Sequence, residues 1–237
     1  MKHTISAVIP AFNEGDRIAS AVESVKSILR RYEFGWDIIV VNDGSQDQTG
    51  KMAEELAIHD KAIRVIHNPQ NRGLGYSLRV GINEAKGDYF FWFPGDNSIK
   101  RESLEPLFDV LGQREIVIGY MGNLNQRVLL RRCLSKIFTA TMNFLFGLSV
   151  KYYNGPFIYP TRLVQSLKLS SRGHGIFSEI LVRSIKSNHT YIEVPFVHNL
   201  ETEKRSKALS LKNLLSIIEA TFVLFRDIYF CQKPQGT

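Results

Sequence analysis

Four polar turns, each following an apolar segment, carry the side chains in this sequence that could do chemistry. In chain order they read PAFNEGD, NDGSQD, NPQNRGLG and PGDNS. Three of them contain carboxylates, which a turn does not need in order to fold. Carboxylates and neutral oxygens are ligands for Mg²⁺ or Mn²⁺, and such a metal can bind a diphosphate. The last turn has a single carboxylate, Asp96, with Pro94 two positions before it. It is a working metal–phosphate site, a reduced one, or only a β-turn.

Alternating strands and helices in the first half would bring these turns to one edge of a sheet. The apolar segments typical of buried strands are SAVIPAF, DIIVV, IRVIH and DYFFWF, and a helical pattern follows each of the first three. Such alternation predicts a largely parallel sheet with right-handed crossovers. Ligands bind at the carboxyl ends of the strands in these sheets, which is where the four turns lie. We therefore predict an α/β fold, with a mostly parallel central sheet flanked by helices.

The second half of the chain is less regular. Its predicted strands are EIVIGY, FIYP and TYIEVPF, and its predicted helices are RVLLRRCLSKIFTATMNFLFG and GIFSEILVRSIKS. A charged loop, LETEKRSKALS, precedes the amphipathic segment LKNLLSIIEATFVLFRDIYF. We divide the chain into a domain of residues 1–209 and a C-terminal amphipathic helix with its tail, residues 210–237.

Composition and charge exclude several classes of protein. The formal net charge of +7 favours anionic partners such as phosphates or an anionic membrane surface, and no nucleic-acid-binding motif is present. The two cysteines are far apart and the six histidines form no H-x-x-x-H pair, which argues against disulfides and zinc sites. No G-x-G-x-x-G follows the first strand, and no Walker A motif occurs. A strand pattern begins almost at the N-terminus, so we expect no signal peptide, and no segment is typical of a spanning helix.

Four segments together resemble the GT-A glycosyltransferases of family 2, and among these the polyprenyl-phosphate (dolichol-phosphate) mannosyl- and glucosyltransferases. The segments are VIPAFNE, VVNDGSQDQT, NRGLGYSLRVGINEAKGDYFFWFPGD and GIFSEILVRSIKSNHTYIEVPF. They occur in the family's order over residues 5–210. The resemblance implies a GT-A (nucleotide-diphospho-sugar transferase) fold, transfer from a nucleotide sugar with inversion, and Mg²⁺ or Mn²⁺ as the cofactor.

The resemblance also assigns nucleotide-binding residues to the first three turns. They are Pro10, Ala11, Phe12, Asn13, Glu14, Asp43, Asp47, Arg72 and Gly73. Asn13 and Glu14 would offer acceptors to the base, and Gly73 would allow close approach of the backbone. Two of these residues also have a structural interpretation. Asn13 is suited to cap a helix, and Asp47 is suited to support its turn or cap the next helix.

The PGDN turn aligns with the D-x-D turn of the family. Asp96 takes the place of the last Asp, so the resemblance implies that it acts in catalysis and holds the metal, with Asn97 as a neutral second ligand. Pro94 replaces the first Asp, and we therefore expect weak metal binding that depends on the donor. Glu179 aligns with a family Glu on the helix that faces the site. It would orient the acceptor or act as a base, and the alternative is a surface Glu on an amphipathic helix.

The acceptor is assigned to two basic segments by the same resemblance. The predicted acceptor- and phosphate-binding residues are Arg131, Arg132, Ser135, Arg205, Ser206 and Lys207. The alternatives are a buried core helix with a basic end for the first segment and a solvated charged loop for the second. One departure from the family pattern lies nearby, because Tyr152 and Tyr153 stand where the family usually has an acid.

The predicted function is transfer of a sugar from a UDP- or GDP-sugar to a polyprenyl (dolichyl or undecaprenyl) phosphate. We expect the protein to bind peripherally at the cytoplasmic face of a membrane, with a membrane protein or a second copy of the chain as a further partner. Two other functions remain open. One is a transferase acting on a sugar hydroxyl of a surface glycan, with Glu179 as base, and the other is a non-catalytic nucleotide-sugar-binding subunit.

Overall fold

A single mixed sheet forms the centre of the computed structural model, which describes residues 3–200 and 211–230. Its seven strands are β1 (Thr4–Ala11), β2 (Gly35–Asn42), β3 (Ile63–His67), β4 (Tyr89–Trp92), β5 (Ile116–Met121), β6 (Phe157–Pro160) and β7 (Tyr191–Phe196). They lie in the order β3-β2-β1-β4-β6-β5-β7. All neighbouring strands are parallel except β6, which is antiparallel to both β4 and β5. The prediction of an α/β fold with a mostly parallel sheet is confirmed.

Helices cover both faces of this sheet. They are α1 (Ile18–Leu29), α2 (Thr49–His59), α3 (Leu74–Glu84), α4 (Glu105–Asp109), α5 (Leu129–Phe146), α6 (Thr161–Ser166), α7 (Gly175–Lys186) and α8 (Leu211–Phe230). Short 3₁₀ turns occur at Arg101–Ser103 and Leu124–Gln126. Among the helices described, none is long and apolar enough to cross a bilayer.

The near-continuous apolar character of β1 follows from this covering on two sides. Ile5 and Ile9 point into one hydrophobic cluster, which includes the buried face of α1. Val8 points into the other cluster, which includes α3 and α7. Because successive side chains of a strand face opposite sides of the sheet, a strand buried on both faces is apolar at most of its positions. Ser6 is the buried polar residue of β1, and its hydroxyl donates to Asp37 Oδ1 at 2.6 Å.

The antiparallel strand β6 determines what meets at the carboxyl edge of the sheet. Since β6 runs opposite to its neighbours, the chain that enters it lies at the same edge as the ends of β4, β5 and β7. Asn123, just after β5, donates a side-chain hydrogen bond to the carbonyl of His198, just after β7, at 2.9 Å. The edge therefore continues from the four predicted turns to the segments that surround the start of β6.

Helix α8 packs on the body of the protein. Its Asp227 accepts a hydrogen bond from Arg183 of α7 at 2.9 Å, and Leu224 and Ile228 are buried in the same cluster as α7. The division of the chain between residues 209 and 210 stays a proposal.

Candidate active site

The first two predicted turns are joined by hydrogen bonds. The Asn13 backbone N–H donates to Ser45 Oγ at 3.0 Å, and Asn13 Oδ1 accepts from the Gln46 N–H at 2.9 Å. Asn13 has a φ of 55°, a left-handed conformation that asparagine tolerates better than most residues. It does not cap α1, whose N-cap is Arg17. The helix-cap interpretation of Asn13 is therefore wrong, and its amide instead fixes the two turns relative to each other.

Asp47 supports these turns, as one of its two structural interpretations predicts. Its carboxylate accepts hydrogen bonds from the Gly15 N–H at 3.1 Å and from the Thr49 N–H at 2.9 Å. These bonds lower the pKa of Asp47 against the opposing effect of burial. In the first turn, Pro10 and Ala11 are buried at the end of β1, whereas Phe12 is 43% exposed at the edge of the sheet.

The Asp43 carboxylate holds the third turn in place through hydrogen bonds. It is buried, and its carboxylate accepts hydrogen bonds from Asn68 Nδ2 at 2.8 Å, from the Arg72 N–H at 3.1 Å and from the Gly73 N–H at 2.8 Å. Because both carboxylate oxygens are engaged by the protein, Asp43 shapes the turn that was predicted to bind the nucleotide. Arg72 extends from this turn over the ring of Tyr76, with its guanidinium carbon 4.1 Å from the ring centre.

The third turn is also held from the other side, by the loop before α7. Gly73 has a φ of 90°, and a Cβ at this position would lie 2.8 Å from the carbonyl oxygen of Arg172. The same oxygen accepts a hydrogen bond from the Gly75 N–H at 2.7 Å. Glycine is needed here because the backbone of the other loop approaches too closely for any side chain.

Glu179 holds that loop in place. Its side chain is buried, with 1% of the residue exposed. Its Oε1 accepts from the Ser170 N–H at 3.0 Å and from Arg183 at 3.2 Å, and its Oε2 accepts from the Ser171 N–H at 2.9 Å. The interpretation of Glu179 as a surface residue is therefore wrong, and its carboxylate holds the loop before α7. Its assignment as the residue that orients the acceptor or acts as a base stays a prediction.

The PGDN turn lies against the end of β1. A Cβ on Gly95 would be 2.7 Å from the carbonyl oxygen of Pro10. Asp96 Oδ1 accepts a hydrogen bond from the Ser98 N–H at 3.0 Å. Asn97 has a φ of 51°, and its Oδ1 is buried with no hydrogen-bond donor among the residues described. An unpartnered buried oxygen beside a carboxylate is more than a simple β-turn requires.

The carboxylates of this edge influence one another. Burial raises the pKa of Glu14 to about 7, Arg17 opposes this, and the charge of Asp96 adds to it. Arg17 lies 3.2 Å from the Glu14 carboxylate. For His174, burial lowers the pKa, because it disfavours the charged imidazolium, and the negative charge of Asp96 raises it. His174 therefore lies near Asp96, which nothing in the sequence around a single histidine could indicate.

A cavity of about 310 Å³ lies between α5 and the segment before β6. Its lining residues are Leu124, Ser135, Lys136, Thr139, Ala140, Asn143, Lys151 and Tyr152. Of the predicted acceptor residues that the structure describes, Ser135 lines this cavity and Arg131 and Arg132 do not. Arg205, Ser206 and Lys207 lie outside the described residues.

The two tyrosines that depart from the family pattern have separate environments. Tyr152 lines the cavity, and the Tyr153 hydroxyl donates to Asn143 Oδ1 at 2.8 Å. Lys151, just before them, has its Nζ 4.5 Å from the ring centre of Tyr120 and 3.9 Å from a Glu193 oxygen. Two lysines, three hydroxyl side chains and one amide therefore line a cavity at the carboxyl edge of the sheet.

The sequence model described as "Glycosyl transferase family 2" matches residues 6–168, which is more than half of the chain. The chain belongs to this family. It is 29% identical to the dolichyl-phosphate beta-glucosyltransferase of Saccharomyces cerevisiae, over 96% of this chain and 78% of that protein. It is 24% identical to an undecaprenyl-phosphate 4-deoxy-4-formamido-L-arabinose transferase of Pseudomonas fluorescens, over 90% of this chain and 63% of that protein.

The matches to two other relatives are shorter. The chain spans only 42% and 38% of the length of two further glycosyltransferases that it matches. Its fold is similar to that of glucosyl-3-phosphoglycerate synthase from Mycobacterium tuberculosis, with a TM-score of 0.69, 20% identity, and coverage of 94% of this chain and 80% of that one. That structure contains Mn²⁺, UDP-glucose and phosphoglyceric acid. The predicted GT-A glycosyltransferase fold and family are confirmed.

Proposed function

We propose that this family 2 protein transfers a sugar from a UDP- or GDP-sugar to a polyprenyl phosphate, with inversion, at the cytoplasmic face of a membrane. The observation that carries the proposal is the meeting of two unlike sites at one edge of the sheet. The turns after β1 to β4 form an acidic and amide-rich site, and the cavity beside α5 is lined by Lys136 and Lys151. The Saccharomyces cerevisiae and Pseudomonas fluorescens relatives, which match most of this chain, are both named as transferases that act on a polyprenyl phosphate.

The donor would occupy the side of the edge formed by the first three turns. Phe12 is exposed there and offers a ring to the base, and the exposed Arg72 is available to the phosphates. Asp43 and Asp47 act through the backbone, because their carboxylates hold the turns on which those side chains lie. This support fixes the geometry of the donor site before the donor binds, which reduces the entropic cost of binding.

The PGDN turn fits a divalent metal. Asp96 retains one carboxylate oxygen for which no bond is described, and Asn97 Oδ1 is buried without a donor. Both are hard oxygen ligands of the kind that Mg²⁺ and Mn²⁺ prefer, and phosphate oxygens of the donor would complete the shell. No group of three or more His, Cys, Asp or Glu side chains that could hold a metal occurs among the described residues. When bound, the metal would neutralise the charge that develops on the departing diphosphate.

The acceptor phosphate would enter the cavity beside α5. Lys136 and Lys151 can pair with its charge, and the hydroxyls of Ser135 and Thr139 can donate hydrogen bonds to it. A phosphate oxygen attacks the anomeric carbon, a new C1–O bond forms, and the bond to the nucleoside diphosphate breaks with its electron pair on the leaving oxygen. An anionic nucleophile needs no general base, which agrees with the engagement of Glu179 elsewhere.

Transfer of radiolabelled sugar from a panel of UDP- and GDP-sugars to undecaprenyl or dolichyl phosphate tests this function. We expect product with one donor. Lys151→Ala should weaken acceptor binding about tenfold while donor affinity is unchanged, since one charge-assisted contact is removed. Lys51→Ala, an exposed lysine of α2, is the matched control and should have no effect.

Other results would contradict the proposal in distinct ways. Transfer to a glycan hydroxyl but to no polyprenyl phosphate would favour the surface-glycan transferase. Donor binding without turnover on either acceptor would favour a non-catalytic nucleotide-sugar-binding subunit.

A further inference from the structure

A cavity of about 390 Å³ lies between α3 and α6, and we name it the α3–α6 cavity. Its polar lining consists of Tyr76, Arg79, Asn83, Gln165 and Lys168, and the rest of its lining is aliphatic. None of the residues assigned above to the donor, the metal or the acceptor lines it. A cavity of this size is within the range that binds small organic molecules, and it is larger than a phosphate ion alone requires.

Basic side chains gather around one aromatic ring of this cavity. The guanidinium carbons of Arg72 and Arg79 lie 4.1 Å and 5.8 Å from the centre of the Tyr76 ring. Burial lowers the pKa of Arg79, and the charges of Arg172 and Arg72 lower it further. Lys168 lines the same cavity. Positive charges that lie this close together repel one another, so an anion bound among them would be stabilised.

The protein supplies little negative charge to balance this cluster. In the part of the chain that the structure describes, Arg72, Lys168 and Arg172 have no carboxylate oxygen within 4.0 Å. The charge of Glu179 acts on Arg79, but its carboxylate pairs with Arg183 at 3.2 Å.

Other arginines of this protein are paired. Arg17, Arg64 and Arg183 each lie within 3.2 Å of a carboxylate oxygen. The half-buried Arg79 instead donates to a neutral acceptor, the Ser171 carbonyl, at 2.5 Å. The cations around the α3–α6 cavity therefore differ from the usual pattern of this chain, and they retain donors for a ligand.

We propose that the α3–α6 cavity binds a small organic phosphate of the size of a sugar phosphate, as a ligand separate from the donor and the acceptor. Arg79 and Lys168 would donate to the phosphate oxygens, which are strong acceptors for charged donors. The exposed Asn83 amide is available to hydroxyl groups. Gln165 donates to the carbonyls of Ile82 and Ala85 at 2.9 and 3.0 Å, which joins α6 to the end of α3 and fixes the cavity wall.

The cavity is connected to the predicted donor site through the loop before α7. Arg79 donates to the Ser171 carbonyl, and the next carbonyl, that of Arg172, accepts from the Gly75 N–H at 2.7 Å. Arg72 belongs to the third turn, and its guanidinium contacts the Tyr76 ring that lines the cavity. A phosphate in the cavity would compete with the donor diphosphate for the positive charge of Arg72. Each ligand should therefore weaken binding of the other, an effect that rests on the proposed function.

Calorimetric titration of the full chain with glucose-6-phosphate tests the site, with inorganic phosphate and glucose as comparisons. We expect glucose-6-phosphate to bind more tightly than inorganic phosphate and glucose not to bind, because both parts of the ligand contribute. Lys168→Gln should weaken binding about tenfold, since one charge-assisted contact is lost. Leu169→Trp keeps every charge but fills the cavity, and should weaken binding at least as much. Lys61→Gln, an exposed lysine before β3, is the matched control and should have no effect.

Two further measurements locate the ligand and test the coupling. In ¹⁵N NMR spectra, glucose-6-phosphate should shift the amide resonances of Val80, Asn83 and Leu169 and leave that of Asn97 in the PGDN turn unchanged. Saturating glucose-6-phosphate should weaken donor binding about fivefold in calorimetry. Without glucose-6-phosphate, Lys168→Gln should bind the donor as the wild type does.

Several results would overturn the proposal. They are no binding of glucose-6-phosphate, affinity unchanged in both cavity variants, affinity equal to that for inorganic phosphate, and resonance shifts confined to the donor turns. Binding of a polyglutamate peptide in place of glucose-6-phosphate would assign the cations to an acidic protein. Donor affinity unchanged by bound glucose-6-phosphate would overturn the coupling.

Failure of this site and failure of the proposed function give different results. Sugar transfer without binding of glucose-6-phosphate refutes the cavity site alone. Binding of glucose-6-phosphate in the cavity by a protein that binds no nucleotide sugar refutes the proposed function alone.

Discussion

Replacing Glu179 with alanine distinguishes a positioning residue from a catalytic base. In the structure its carboxylate accepts the backbone N–H groups of Ser170 and Ser171 and pairs with Arg183. Through this loop it acts on the donor site, because the next carbonyl, that of Arg172, accepts from the Gly75 N–H. Glu179→Ala should therefore lower both the free energy of unfolding and the affinity for the donor.

The magnitude follows from the groups that lose their partner. The Ser171 N–H is buried, and loss of its acceptor costs about 1 to 3 kcal/mol, whereas Ser170 is exposed and loss of its hydrogen bond costs about 0.5 to 1.5 kcal/mol. Arg183 keeps its second carboxylate partner, Asp227, at 2.9 Å, so its charge is not left unpaired. We expect a loss of about 2 to 4 kcal/mol in the free energy of unfolding. Glu179→Gln should cost less, because its amide oxygen can still accept one of the two bonds.

Urea denaturation and calorimetric titration of the donor measure the two effects, with Glu55→Ala, an exposed glutamate of α2, as the control. The expected order of both stability and donor affinity is wild type, then Glu179→Gln, then Glu179→Ala. Unchanged stability and donor affinity, with sugar transfer abolished equally in both variants, would refute the positioning role and support Glu179 as the base.

Three other substitutions test the site. Glu14, whose pKa burial raises to about 7, contributes stability that is present below pH 4.5 and lost as the pH rises through 7. Glu14→Gln should therefore be more stable than wild type at pH 8 by about 2 to 3 kcal/mol and equal to it at pH 4, measured by urea denaturation. Gly75→Ala would place a Cβ 2.3 Å from the Ser171 carbonyl oxygen, so we expect a lower melting temperature and weaker donor binding in calorimetry. Lys136→Ala should raise the KM for the acceptor about tenfold and leave that for the donor unchanged in the transfer assay.

Local patterns in the sequence predict the first half of the fold well. Strands β1 to β4 lie where the apolar segments indicate, because burial on both faces of a parallel sheet requires continuous apolar runs. The edge that gathers the four turns follows from the same pattern. Helix α3 starts at Leu74, within the segment NPQNRGLG that the sequence predicts to be a turn. Gly75 has no room for a side chain because the loop before α7 approaches it closely. That contact joins distant parts of the chain, so a local sequence pattern cannot predict it.

Contacts between distant parts of the chain explain what the sequence could not predict. The insertion of β6 between β4 and β5 depends on long-range pairing and carries no local signal. The burial of Glu179 depends on Ser170 and Ser171, which precede its helix and have no motif of their own. Lys151 was not among the predicted acceptor residues, because only the folded chain brings it to the cavity beside α5.

The central claim is that a metal at the PGDN turn binds the diphosphate of the donor. Calorimetric titration of UDP- and GDP-sugars tests this claim most directly. The titrations use wild type and Asp96→Ala, each with Mn²⁺, Mg²⁺ or EDTA. We expect one donor to bind wild type in the presence of metal, and both EDTA and the substitution to abolish that binding. Equal donor binding without metal and without Asp96, or no binding of any donor to wild type with metal, would contradict the account.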